Sequence, residues 1–449
     1  MGQIHDIRSY LQVLETSGKL AKVERPVDLV HELANVASTA NRQGRGATLF
    51  TQAINSPWQI AAGAVGSPEL AALSLGCKLN QVSDVMGAAL LPENGIAPQV
   101  VEDAPWKANI LTGDQIDLYA LPIPTHGLHD GGPFITGGVT VSHDPVTGRG
   151  NLSYNRMQVL SKNTFGFNCN EWRHTLQFYK HQEERNQPLQ IAIAIGLDPA
   201  ISIAAGARYD DDELKIAGAI RQVAVKVCKG VTVDVHIPAE AEIVIEGYLP
   251  PRERKAEGPL AEFHGYYGEL WESPVFHVTA VCFRDNPIFQ TIVPGDAEHI
   301  YIGNVLPREP LLLRFVRHVS QNVTGLHIPP YSNGFAAVVQ IQKSNPGEPK
   351  NAAMAAFTAH VNIKQVIVVD PDVNIYDPAD VHWAITNRVD WSRDVFFVPG
   401  SQGHEMDPTA DERGIHTKIG IDATYKPERR DYGERIRYPE IDLNQYIIA

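Results

Sequence analysis

The chain has 449 residues, about three times the length of a typical domain, so two or three domains with a large buried core are expected. Its formal net charge of -14 argues against a basic surface for nucleic acid or anionic membrane. No apolar run approaches the roughly 18 residues of a membrane span, and the four cysteines form no CxxC pair. We therefore predict a cytoplasmic protein that binds neither nucleic acid nor membrane.

The first hundred residues predict a small α/β domain. Apolar residues at helical spacing between positions 4 and 14 predict an opening helix. ATLFTQAI followed by PWQIAAGAVG predicts a strand and a turn, and SPELAALSLG predicts a helix capped by Ser67 with Pro68 at its first position. A proline-punctuated, irregular segment follows over residues 100–126. We place the end of this N-terminal domain within it, so that the domain covers residues 1–110.

The middle of the chain is rich in β-type runs. FITGGVTVSHD and NLSYNRMQVL flank DPVTGRG and should form a hairpin. Later runs include LQIAIAIGL, EIVIEGYLPP and FHVTAVCFRD, and such regular spacing favours a barrel or a sandwich. Neither a GxGxxG after a strand nor a GxxxxGK[ST] is present in the sequence, so the usual dinucleotide-binding and P-loop folds lack their motifs.

The last third alternates helical and strand patterns, which predicts a second α/β layer. PREPLLLRFVRHVSQNV predicts an amphipathic helix, KQVIVVD a buried strand, and DPADVHWAITNRV a helix opened by Asp377 and Pro378. The tail TKIGIDATYKPERRDYGERIRYP is predicted to be polar and irregular. This C-terminal α/β domain is assigned to residues 306–449.

Three kinds of polar group form a candidate cation site. Asn151, His174 and a carboxylate of the acidic cluster Asp210 to Glu213 offer an amide oxygen, an imidazole and a carboxylate oxygen, a mixed set that suits Mg²⁺ or Mn²⁺ with phosphate oxygens completing the shell. Each has an ordinary alternative. An asparagine on a strand usually completes a local hydrogen bond, and an acidic cluster at a helix start complements the helix dipole.

The stretch EGPLAE places two acids five positions apart. Gly258 and Pro259 restrict the intervening backbone, so the separation of Glu257 and Glu262 should be rigid. Two acids in different environments can divide into one ion-paired carboxylate and one proton donor with a raised pKa. The alternative is a solvated acidic loop that offsets neighbouring cations.

Together these motifs resemble the UbiD family of prenylated-flavin-dependent decarboxylases. DIRSYLQVLETSGKLAKVERPVD, NLSYNRMQ, DDDELKIAGAIR, EGPLAEFHGYYG and KIGIDAT occur in the family's order over most of the chain. The resemblance implies an α/β (α+β) fold with an N-terminal α/β domain, a central split β-barrel over residues 111–305 that binds prenylated FMN, and a C-terminal oligomerisation domain.

The resemblance also assigns site residues. It implies that Arg156, Glu257 and Glu262 are catalytic, with Arg156 orienting the substrate carboxylate and Glu262 donating a proton. The implied metal ligands for Mn²⁺ or Mg²⁺ are Asn151, His174 and Glu213. A potassium ion would use backbone carbonyls near residues 204–207. The implied cofactor-binding residues are Asn151, Ser153, Tyr154, Asn155, Arg156, Arg173, His174 and Glu213.

The implied reaction is the reversible, non-oxidative decarboxylation of an aromatic, heteroaromatic or α,β-unsaturated carboxylic acid through a covalent adduct with prenylated FMN. Glu298, His299, Ile302 and Arg308 fall where family members line the substrate pocket, and His299 with Arg308 resembles the pair that binds a second carboxylate in furan dicarboxylate decarboxylases. Arg308 at the first turn of a helix equally suits a solvent-facing charge. Lys364 is a candidate for the cofactor phosphate or an ordinary surface lysine.

The implied partners are a UbiX-type flavin prenyltransferase that supplies the cofactor and further copies of the chain, as a homodimer or a dimer-based hexamer. Two other hypotheses remain at this point. A conventional FMN oxidoreductase on a β-barrel would turn over with ordinary FMN and NAD(P)H. A nonenzymatic relative that kept the fold would have no need of all three residues Arg156, Glu257 and Glu262.

Overall fold

The computed structural model describes residues 4–169, 173–436, 438–439, 441–442 and 445–446. Backbone contacts divide the chain into two compact units, residues 1–311 with 330–334, and residues 312–329 with 335–449. In the described part, no helix is both long enough and apolar enough to cross a membrane. The mixed α/β fold class is confirmed, whereas the predicted boundaries at 110 and 305 stay a prediction.

The N-terminal part packs helices against a small sheet whose strand order is β1-β2-β3-β17. The predicted cap is present, because the Ser67 side chain accepts a hydrogen bond from the Leu70 N–H, which would otherwise be unpaired at the helix start. The elements are α1 Ile7–Thr16, β1 Leu20–Val23, α2 Glu32–Arg42, β2 Ala47–Phe50, β3 Gln59–Ala62, α3 Pro68–Leu75 and α4 Val82–Ala89.

A ten-stranded, mostly antiparallel sheet dominates the first unit and curls into a half-barrel. Its main strand order is β6-β9-β10-β16-β14-β11-β7-β8, and β5 and β15 also pair with β16. The elements are β4 Gln99–Val101, β5 Asn109–Thr112, β6 Phe134–Ile135, β7 Val139–His143, β8 Gly150–Tyr154, β9 Met157–Val159, β10 Thr164–Phe167, α5 His174–Glu184, β11 Leu189–Ile195, α6 Pro199–Gly206, α7 Leu214–Arg221, β12 Lys226–Lys229, β13 His236–Pro238, β14 Ile243–Leu249, β15 Arg254–Glu257, β16 Trp271–Phe283 and β17 Ile288–Gln290.

The second unit is built on a five-stranded sheet of order β18-β19-β20-β22-β21. As predicted, Asp377 caps a helix that begins at Pro378, accepting the Ala379 N–H through its side chain. The first unit ends with α8 Ala297–Ile300 and a π-helical turn Tyr301–Val305. The elements that follow are α9 Glu309–Val319, β18 Val323–His327, β19 Ala336–Ile341, α10 Glu348–Ala359, β20 Gln365–Val369, α11 Pro378–Arg388, β21 Val395–Gln402 and β22 Ile415–Asp422.

The predicted hairpin is confirmed, since β7 and β8 pair antiparallel with Val139 opposite Tyr154. Two expectations need correction. NLSYNRMQVL is not one strand, because the chain leaves the β8 ladder at Asn155 and resumes as β9. The start of the tail is not irregular, because β22 runs parallel beside β20, where its charged residues alternate with apolar ones.

Candidate active site

The first candidate element is the segment of residues 257–262, here called the acid turn. Glu257 ends β15 opposite Trp271 of β16, so the sheet fixes where the turn begins. Gly258 then adopts a φ of 108°, and a Cβ at this position would stand 2.9 Å from the Glu269 carbonyl oxygen. Glycine is therefore required there. The Gly258–Pro259 peptide bond is cis.

Arg156 joins the two acids of the turn. Its Nε and Nη2 donate to the two carboxylate oxygens of Glu257 at 2.9 and 3.0 Å, and its Nη1 donates to Glu262. The side chains are 10%, 0% and 19% exposed for Arg156, Glu257 and Glu262, respectively. Asn168 Nδ2 adds a 3.1 Å hydrogen bond to Glu257, and Ser273 Oγ a longer one. The predicted catalytic residues are thus brought together.

The two carboxyl groups of this cluster have different surroundings. Glu257 is fully buried and holds the guanidinium by a bidentate pair, the geometry that arginine and carboxylate favour. Burial raises the pKa of Glu262, and the Arg156 charge acts in the opposite direction. The arrangement provides one carboxylate fixed on a cation and one carboxyl group able to hold a proton.

The three candidate cation ligands also converge. Asn151 lies on β8, and His174 opens α5 with its Nδ1 3.2 Å from Asn151 Oδ1. Glu213 stands at the start of α7, and its carboxylate accepts the Leu152 N–H at 2.7 Å. Each ligand is therefore supplied by a different element.

Electrostatics at this cluster fit a bound cation. Desolvation raises the pKa of the buried Glu213 to about 8 and lowers that of the partly buried His174, so both groups resist their charged forms without a counter-ion. Among the described residues, no group of three His, Cys, Asp or Glu is placed to hold a metal. The candidate set therefore depends on the amide oxygen of Asn151, a ligand type that Mg²⁺ and Mn²⁺ accept.

A row of hydrogen bonds connects the cation ligands with the acid turn. Asn151 Nδ2 donates to Thr175 Oγ1 at 3.1 Å, and this oxygen lies 3.0 Å from Ser153 Oγ. Ser153 donates to Asn155, whose Nδ2 donates to the Asn168 carbonyl. Positions 151, 153 and 155 share one face of the extended chain because side chains alternate along a strand.

Tyr154 points to the other face of β8. Its hydroxyl is buried close to Ser202 of α6, and desolvation raises its pKa. The predicted cofactor residues on β8 are therefore divided between the two faces of the strand.

Two partly buried arginines carry charge near the cation ligands. Arg173 immediately precedes α5, and Arg308 follows the π-helical turn. Desolvation lowers the pKa of both, that of Arg308 to about 10, and the Arg173 charge lowers the pKa of Arg308 further. Within the described residues, Arg308 Nη1 is buried without a hydrogen-bond partner and neither arginine forms an ion pair. Cations in this state are suited to an anionic ligand.

The other predicted pocket residues differ in their surroundings. Glu298 is 2% exposed, and its carboxylate accepts the N–H groups of Gly63 and Val65 at 2.8 and 3.1 Å. These backbone donors satisfy its carboxylate, and its place in the substrate pocket stays a prediction. His299 is desolvated, which lowers its pKa to about 4, and its Nδ1 accepts the Gly295 N–H. Ile302 is 2% exposed in the π-helical turn.

Lys364 has its own partners in the second unit. Its Nζ lies 2.6 Å from Asp407, whose other carboxylate oxygen is 2.7 Å from His416 Nδ1. The same amine lies over the Phe335 ring. Its charge is therefore compensated within that unit.

Sequence reasoning missed Asn168 and Thr175. Asn168 carries no motif, but it follows β10, which pairs antiparallel with β9 and brings its N–H to the Arg156 carbonyl. A hairpin assigned to residues 157–167 would have placed it beside Arg156. Thr175 adjoins His174 and carries no sequence motif of its own.

Comparison with known proteins identifies the family. Models of the 3-octaprenyl-4-hydroxybenzoate carboxy-lyase match the N-terminal domain over residues 11–90, the Rift-related domain over 99–297 and the C-terminal domain over 301–423. An anhydromevalonate phosphate decarboxylase of Methanosarcina mazei is 33% identical over 96% of this chain and 99% of its own length.

Solved structures give the same result. The UbiD-class enzyme HmfF from Pelotomaculum thermopropionicum, solved in complex with FMN, is 38% identical with a TM-score of 0.92 over 99% of this chain and 100% of its own. The 3,4-dihydroxybenzoic acid decarboxylase AroY of Klebsiella pneumoniae is 31% identical with a TM-score of 0.92 over 99% of both chains. The chain therefore belongs to the UbiD family of carboxy-lyases.

Proposed function

We propose that this enzyme decarboxylates an aromatic or heteroaromatic acid with prenylated FMN as its cofactor. The observation that carries the proposal is Arg156 held between Glu257 and Glu262 in a UbiD-family chain. The same residues would serve an α,β-unsaturated acid, because its carboxylate also stands on an unsaturated carbon. They would also serve the reverse carboxylation, because that reaction forms the same carbon–carboxylate bond.

The cofactor fits the residues that are present. Asn151, His174 and Glu213 would hold Mn²⁺ or Mg²⁺ against its phosphate, and the uncompensated Arg173 would add a second positive charge. A potassium ion would use carbonyls of residues 204–207 at the C-terminal end of α6, where the last carbonyls of a helix have no i+4 partner and Ala204 accepts only the Ala207 N–H of the cap. When bound, prenylated FMN supplies an electron sink that no side chain provides.

Arg156 binds and orients the substrate carboxylate. Its planar guanidinium has five donors, and the bidentate pair with Glu257 fixes its plane. An incoming carboxylate competes with Glu262 for Nη1. Glu262 then loses its cation while remaining buried, and both changes favour its protonated form. Substrate binding and proton retention are therefore coupled through one guanidinium.

Glu262 donates the proton that replaces the lost carboxyl group. Because burial raises its pKa, the protonated form persists to a higher pH than in an exposed glutamate. Since the protonated form is the donor, kcat should fall as the pH rises through this raised pKa.

Arg308 and His299 would recognise a second acidic group on the substrate. Both are desolvated, and Arg308 lacks an internal anion among the described residues. A second carboxylate, as in a furan dicarboxylate, satisfies this requirement. The curated archaeal relatives, whose names specify a phosphate-bearing acid, make a second anion a reasonable feature of the substrate.

The proposal includes a UbiX-type prenyltransferase as cofactor supplier, a homodimer or dimer-based hexamer, and the cytoplasm as location. The test is co-expression with the prenyltransferase, followed by the visible spectrum and CO₂ release across furan, pyrrole, indole and benzoic acids. We expect CO₂ release only from the co-expressed protein, fastest with a diacid. A protein loaded with ordinary FMN that oxidises NAD(P)H, and releases no CO₂ from any of these acids, would overturn the proposal.

A further inference from the structure

The acid turn is held through its backbone as well as through Arg156. Gln158 lies two residues after Arg156 and is 7% exposed. Its Oε1 accepts the Gly258 N–H at 2.8 Å, and its Nε2 donates to the Gly131 carbonyl at 2.7 Å. One buried amide therefore connects the turn to a separate segment of the chain.

That segment, residues 126–131, contacts the acid turn at two more points. The Gly131 N–H donates to the Pro259 carbonyl at 2.8 Å, and Asp130 Oδ1 accepts the Ala261 N–H at 3.2 Å. The backbones approach so closely that a Cβ on Gly131 would collide with the Gly258 carbonyl. Gly258, Pro259 and Ala261 thus each lie beside a fixed neighbour.

The hydrogen bonds of Gln158 and Gly131 to the backbone matter because the ion pairs of Arg156 alone do not fix the acid turn. Arg156 binds Glu257 and Glu262 with one flexible side chain, and the substrate carboxylate has to displace one of these contacts. A misplacement of about 1 Å in a reacting group costs about 100-fold in rate. The backbone of the turn therefore has to remain in place when the guanidinium is shared with substrate.

We propose that Gln158 is a positioning residue of the acid turn, which keeps Glu262 at the reacting carbon by linking Gly258 to Gly131. Gln158 acts through the backbone and touches neither substrate nor cofactor. The catalytic part of this inference rests on the proposed function, and the structural part is independent of it.

The test compares Gln158→Met with Gln340→Met. Methionine has nearly the same length and shape but makes neither amide hydrogen bond. Gln340 is a matched control in the second unit, where its Nε2 donates to the Val373 carbonyl at 2.9 Å and its Oε1 accepts Thr324 Oγ1 at 2.8 Å. Hydrogen exchange of residues 257–268 is measured in the protein without cofactor, and kcat and KM for furan-2,5-dicarboxylate in the co-expressed protein.

We expect Gln158→Met to speed exchange of residues 257–268 about 10-fold and to lower kcat about 10- to 100-fold, with KM within about twofold of wild type. Gln340→Met should change neither quantity. Gln158→Leu, which likewise makes neither amide hydrogen bond, should behave as Gln158→Met does and replaces it if that protein does not fold.

Unchanged exchange of residues 257–268 in Gln158→Met would overturn the proposal, as would a full kcat beside faster exchange. Failure of the proposed function has a different signature. The wild-type protein would then release no CO₂ from furan-2,5-dicarboxylate or from any other acid of the panel, while the exchange result would still decide whether Gln158 holds the turn.

Discussion

Two ends of the candidate site use arginine in opposite ways. At the acid end, Arg156 lies between Glu257 and Glu262, so its charge is compensated by the chain itself. At the anion end, Arg173 and Arg308 are desolvated but partly exposed, and they lack an ion pair among the described residues. The first end is complete without a ligand and can handle a proton. The second needs an external anion to offset the cost of burying charge.

The largest expected effect on stability comes from breaking the acid end. Arg156→Met leaves Glu257 fully buried without its cation, which costs about 3–5 kcal/mol of the free energy of unfolding. Adding Glu257→Gln removes the uncompensated charge, so the double variant should be more stable than the single one. Chemical denaturation of the three proteins measures this. A double variant less stable than Arg156→Met would show that burial of Glu257 is not the cause.

The cation ligands next to the anion end should control cofactor retention. His174→Ala or Glu213→Ala is expected to lower metal affinity at least about 10- to 100-fold, and flavin content with it, since the metal would bridge to the phosphate. Metal analysis and the flavin spectrum of the purified proteins measure both. His181→Ala, an exposed position on the same helix, is the control. Full flavin content without metal would contradict the phosphate bridge.

Removing a positive charge at the anion end should leave the free energy of unfolding unchanged or raise it, whereas removing Arg156 lowers it. Arg308→Met removes a desolvated cation that has no ion-pair partner among the described residues, so the protein without ligand should be as stable as wild type or more stable. Affinity for a diacid substrate should fall about 10- to 100-fold, the value of a hydrogen-bonded charge pair. Thermal unfolding and KM test this.

The control for this variant is Arg314→Met, which changes an exposed arginine on α9. A large loss of stability in ligand-free Arg308→Met would mean that Arg308 is paired internally. The contrast between the two ends would then disappear.

The sequence predicted those parts of the site that depend on short separations. Glu257 and Glu262 are separated by one turn, and Asn151 and Arg156 lie close along the chain, so local spacing predicted that each pair is close in space, while their roles in the site come from the family resemblance and stay a prediction. It also predicted the hairpin and most capped helices, because caps and turns are local signals.

The contacts that were missed depend on strand register. Asn168 reaches Glu257 across 89 positions, and Gln158 reaches Gly258 across 100. No local pattern marks either residue. Glu298 is a second example of a contact that no local pattern marks. The resemblance places it in the substrate pocket, and the structure shows that its carboxylate accepts the backbone N–H groups of Gly63 and Val65. Strand β22 was missed because its charged residues made the sequence resemble a loop.

The most direct measurement is CO₂ release by Glu262→Gln after co-expression with the prenyltransferase, alongside Glu269→Gln, which changes an exposed glutamate seven residues later. We expect Glu262→Gln to keep the cofactor spectrum and to lose about a thousandfold in kcat, because the amide cannot donate the proton. Glu269→Gln should match wild type. Wild-type turnover by Glu262→Gln would contradict the assignment of the acid end as the proton donor.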